Sequence, residues 1–97
     1  MANRLETKMD RLRWLDAQLP HMHGSEARLQ KAIKKFAKGN ERNFIDAKFF
    51  VAYCGISDGQ TRSYDTVAAE NHVTRETARQ RVLRAIRRLK RDDLWAA

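Results

Sequence analysis

Apolar residues recur at helical spacing through nearly the whole chain, and short polar breaks separate the runs. Leu5, Met9, Leu12, Leu15 and Leu19 follow a rhythm of four, three, three and four, which predicts an amphipathic helix ended by Pro20 and Gly24, with Trp14 off the stripe. Ser25 then caps a second helix, on which Leu29, Ile33 and Phe36 stand opposite Arg28, Lys31, Lys34, Lys35 and Lys38, and Gly39-Asn40 closes it. Asn43 to Cys54 reads as a third helix with Phe44, Ile45, Phe49, Ala52 and Tyr53 on its apolar side, stopped by Gly55 in a left-handed conformation. Phe49 and Phe50 lie about 100° apart on that helix, so its aromatics do not all face one core and some aromatic area is expected at the surface. Ser57 to Ser63 is all turn and cap residues, an exposed loop.

Two more helices follow. Ser63 caps the first, which buries Val67 and Ala68 and ends at Asn71-His72; a tight turn there calls for positive φ, where Asn and His are enriched among residues other than glycine. Thr74 caps the second, whose apolar side is Ala78, Val82, Ala85, Ile86 and Leu89. Every element read is helical. The expected fold class is therefore all-α, with a helical hairpin over residues 1–40 and a helix-turn-helix domain over residues 41–97. The leucine stripe of the first helix is expected to fold back on the second rather than pair with another chain, because two heptads are marginal for a coiled coil.

The last helix carries the most distinctive chemistry. Arg75 and Arg79 are one turn apart at its start, with Glu76 and Gln80 beside them. Guanidinium, amide and carboxylate are the groups that read guanine, adenine and cytosine edges in the major groove. Charge follows the same division: between His72 and Arg91 there are seven Arg and one Lys against the single acid Glu76, while residues 41–71 hold three basic residues and five acids.

The whole composition is compatible with that picture. Ninety-seven residues, 42% hydrophobic and 33% charged, suit one compact domain or a domain plus an appendage, and a net charge of +8 with a pI near 10.3 favours a polyanionic partner. Cys54 is alone, which rules out an internal disulfide and fits a reducing cytoplasm; it sits among apolar residues as a buried structural thiol. The segment MANRLETKMD lacks the apolar core of a signal peptide and no run is long enough to span a membrane, so a cytoplasmic location is expected. His21-Met22-His23 has no third ligand nearby, and no nucleophile and base stand at a matching spacing; the reading is a non-enzyme with no metal and no cofactor.

The stretch from Ile45 to Arg91 resembles region 4 of the primary class of bacterial sigma factors. Val73-Thr74-Arg75-Glu76, Arg79-Gln80 and Arg87-Arg88-Leu89 fall in that family's register without a gap, covering about half the chain. The resemblance implies that the last helix enters the major groove of promoter DNA, with Arg75, Glu76, Arg79 and Gln80 reading bases. Thr74 lies nearer the phosphates, and Arg62, Arg81, Arg84, Arg87 and Arg88 are placed as backbone contacts. It also implies that the helix over residues 43–54 packs beneath the helix-turn-helix and helps form the surface that grips the flap of the RNA polymerase β subunit, with Phe49, Phe50 and Tyr53 contributing to either. Thr77 and Ala78 depart from the family pattern, which commonly has a basic residue and a larger aliphatic one there. The chain has no space for the domains that melt a promoter, so the expectation is not a complete sigma factor.

The leading expectation is a transcription regulator that binds double-stranded promoter DNA and engages RNA polymerase. It takes one of three forms: a region-4 mimic, one half of a split sigma factor, or a phage-type late activator or antiterminator. The alternative is a protein-interaction module that binds the polymerase flap or a sigma factor with little DNA reading. An RNA-binding role has less support, since no aromatic is interleaved with the basic run before Trp95.

Overall fold

Every α-helix opens on a short oxygen-bearing side chain that accepts from the backbone amide three residues on: Thr7, Ser25, Asn40, Ser63 and Thr74. Each cap satisfies a donor that the first turn would otherwise leave unpaired. The computed structural model describes residues 7–96: α1 Lys8–Gln18, α2 Glu26–Ala37, α3 Glu41–Cys54, α4 Tyr64–Glu70, α5 Arg75–Leu89 and a final 3-10 turn, Asp92–Trp95, with no strand among the described residues. The all-α class expected from the sequence is observed.

The caps also correct several boundaries. α1 starts at a reciprocal capping box in which Thr7 Oγ1 accepts from the Asp10 amide and the Asp10 carboxylate accepts from the Thr7 amide, both at 3.1 Å. The expected stripe position Leu5 lies outside the described residues. Met9, also expected on the stripe, is exposed, whereas Leu12, Leu15 and Leu19 are buried. Asn40 begins α3 two residues earlier than the apolar pattern indicates.

Among the described residues positive φ falls only at Gly or His: His23 at 52°, Gly24 at 70°, Gly55 at 71°, Gly59 at 80° and His72 at 58°. Gly55 ends α3, and a Cβ there would stand 2.7 Å from the carbonyl carbon of Gln60, so only glycine fits the conformation and the space. His72 takes the expected left-handed place in the turn between α4 and α5.

α3 is the centre of the packing. α5 and α2 both lie against it, α4 packs on α5, and α1 makes its main contact with α3. The core that results is continuous: Leu15, Leu19 and Leu29 belong to the same buried cluster as Phe50, Val67, Val82 and Leu89. Residues 7–40 are therefore not packed as a self-contained hairpin, because the apolar side of α2 is spent on α3. The end of the chain is tied down as well, with Trp95 Nε1 donating to the Leu89 carbonyl at 2.7 Å and Lys35 Nζ to the Ala96 carbonyl at 2.6 Å.

Candidate nucleic-acid interface

The candidate surface is built from the cap at Thr74 outward. Thr74 Oγ1 accepts from the Thr77 amide at 3.1 Å, which sets the first turn of α5, and Ala78, Val82, Ala85 and Leu89 at 0% exposure fix the inward side. Ala78, which departs from the sigma pattern in size, is fully buried, as are Val67 and Ala68 of α4, the helix that packs on α5.

With that side spent, the leading turn faces outward. Arg75 is 63% exposed and its Nε lies 3.3 Å from Asp65 of α4. Glu76 receives Arg79 through Nε at 3.0 Å and Nη2 at 2.6 Å, and Gln80 Nε2 at 3.1 Å. Hydrogen bonds from Arg79 and then Gln80 hold the Glu76 carboxyl below its ordinary pKa, and Glu76 in turn raises that of Arg79. The four residues expected to read bases thus lie side by side: Glu76, Arg79 and Gln80 are bonded to one another, with Arg79 half-buried, while Arg75 pairs with Asp65 instead. Pairs in open solvent are weak and exchange readily.

The other arginines do different work. Arg84 makes a two-pronged bond to Asp46 at 3.0 and 2.9 Å, and Asp46 is 1% exposed in α3. That carboxylate raises the pKa of Arg84. Arg88 donates to the Asn43 amide oxygen, and Arg81 lies over the Phe49 ring, 4.8 Å from its centroid. Arg62 pairs with Asp58 and Glu70 and donates to the carbonyls of Ala52 and Gln60, and its bonds hold the Asp58 carboxyl down to about 2. Arg62 and Arg84, expected as phosphate contacts, are thus both engaged within the chain, Arg62 by Asp58 of its own loop and Glu70 of α4, and Arg84 by Asp46 of α3. Arg87 is exposed and its guanidinium has no partner among the described residues.

The aromatics expected to meet polymerase are likewise withdrawn. Phe49 and Phe50 are 3% and 0% exposed, since α2, α4 and α5 surround α3 and cover faces that the helical wheel separates. Tyr53 is half-buried, stacked on Tyr64 at 4.4 Å and capped by Arg11 at 4.0 Å from its ring centroid. The aromatic of α3 left at the surface is Phe44.

Two structural residues escape a reading by pattern. Arg11, 6% exposed, donates from Nη1 to the carbonyls of Tyr53 and Arg62 at 2.6 Å each, tying α1 to the end of α3 and to the loop after it. Asp46 is the one acid in the largely apolar stretch from Phe44 to Cys54, and that is the signal that could have marked it. Cys54 is buried as expected, and loss of solvent pushes its thiol up to about 12. His21 faces Asp92 at 2.8 Å rather than His23, and among the described residues no three His, Cys, Asp or Glu side chains converge as a metal site. Among the same residues no helix is long and apolar enough to cross a membrane. No protein-family model, curated protein or solved structure matches the chain.

Proposed function

We propose that the chain is a sequence-specific DNA-binding transcription regulator of the helix-turn-helix type, in which α5 enters the major groove of promoter DNA and its first turn reads base edges. One observation carries the reading. Arg75, Glu76, Arg79 and Gln80 share the exposed leading turn of a capped helix whose opposite side is fully buried, on a chain of net charge +8. Arginine and glutamine offer bidentate donors and acceptors to guanine and adenine, and glutamate accepts from cytosine. Arg87, unpaired among the described residues and about two turns further along, supplies a phosphate contact without sequence preference. Engagement of RNA polymerase is part of the proposal on the strength of the sigma resemblance, and it uses a surface other than Phe49 and Phe50. The reading involves no catalysis and no cofactor.

The test begins with selection of a preferred duplex from a randomised pool by the intact chain. Arg75→Ala is expected to cost about 1 to 3 kcal/mol on the selected duplex and to relax one base position. Arg87→Ala is expected to weaken selected and random duplexes alike and to lower the salt slope by about 1. Selection that yields no preferred sequence, or equal losses for both variants on both duplexes, overturns the base-reading proposal.

A further inference from the structure

On a face formed without α5, α2 and α3 leave a groove of about 640 Å³ between them. Its floor is apolar: Ile33 and Ala47 are buried, and Ala37, Val51 and Ala52 are partly buried against the core. Phe44, 57% exposed, stands at its edge, and Lys48 follows one turn later on the same side of α3. Lys34 of α2 faces it. Neither lysine ammonium has an ion-pair or hydrogen-bond partner among the described residues. At the far end Arg62 pairs with both Asp58 and Glu70, which leaves one net negative charge there, so the cationic part of the groove is the end that carries Lys34 and Lys48.

An apolar trough with a large aromatic at the lip and unpaired cations on both walls has a definite complement. We propose that this groove docks an acidic, amphipathic helical segment of a partner protein, which lays apolar residues on Val51 and Ala52 beside Phe44 and carboxylates against Lys34 and Lys48. Helix-in-groove recognition uses this division between apolar anchors and a charged rim. Charge decides among occupants. A second copy of this chain would bring another +8 to a cationic rim, and a nucleic acid would leave the apolar floor unmatched. The proposal is independent of the DNA reading, because none of its residues lies on α5.

The probe is a short synthetic helix with leucines along one stripe and glutamates elsewhere, fluorescein-labelled and titrated with the intact chain by anisotropy; a scrambled peptide of the same composition is the control. Saturable binding is expected to weaken about tenfold in Phe44→Ala and in Lys48→Glu, to weaken with salt, and to be unchanged in Arg87→Ala. All three side chains are exposed, so the variants should retain the parent far-ultraviolet circular dichroism. Equal binding of the scrambled peptide, loss in Arg87→Ala matching that in Lys48→Glu, or no binding at all overturns the proposal. So does a dimer in sedimentation that Phe44→Ala dissolves, which would make the occupant another copy of the chain.

Discussion

Asp46 illustrates what a single buried charge demands of its surroundings. It lies in the apolar run of α3 at 1% exposure and is stable there because Arg84, 38 positions away, satisfies both oxygens. Removing the cation leaves the carboxylate buried without a partner, whereas removing both groups does not. Arg84→Ala is therefore expected to destabilise the fold by about 3 kcal/mol, the low end of the range for buried pairs because the Arg84 side chain is 26% exposed. The double change Asp46→Leu with Arg84→Met should recover most of that loss in urea denaturation. At this scale the sequence is least legible. A helical wheel places Arg84, Arg87 and Arg88 outside the core, but nothing in it shows that an acid or amide waits across the chain for two of them.

Helix starts and stops are far more legible, because they depend on chemistry within three or four residues. Ser25, Ser63 and Thr74 cap as expected, Gly55 ends α3, and the Asn71-His72 pair marks the turn before α5. The start of α3 is less legible, because Asn40 reads equally well as the end of one helix and the beginning of the next. His72 adopts φ of 58°, a conformation in which a branched Cβ crowds the backbone. His72→Val is expected to cost about 1 to 2 kcal/mol, and His72→Gly to be neutral or better, compared by thermal melting. Equal melting of the two variants would mean the turn tolerates any residue. What the local pattern does not contain is which apolar stripe meets which: α2 serves α3 more than α1, and that preference arises only when all the stripes compete for one core.

For the whole molecule, a core that runs without a break past residue 40 is expected to unfold as a single cooperative unit. Trp14 on α1 and Trp95 in the final turn report on opposite ends of the chain. With either one changed to Phe, the fluorescence transition of the remaining tryptophan is expected to coincide with the circular-dichroism transition at the same denaturant concentration. Separate midpoints would show that the N-terminal helices come apart on their own. The candidate reading surface shares this dependence, since α5 is positioned by α3, and α3 by α2.

Gly55 shows how far one absent methyl can reach. The backbone passes so near Gln60 that a methyl there has no rotamer by which to escape, and relief would come only from shifting the strap that follows. That strap holds Arg62, whose carbonyl is one of the two gripped by Arg11. A hydrogen atom at position 55 thus keeps the first helix moored.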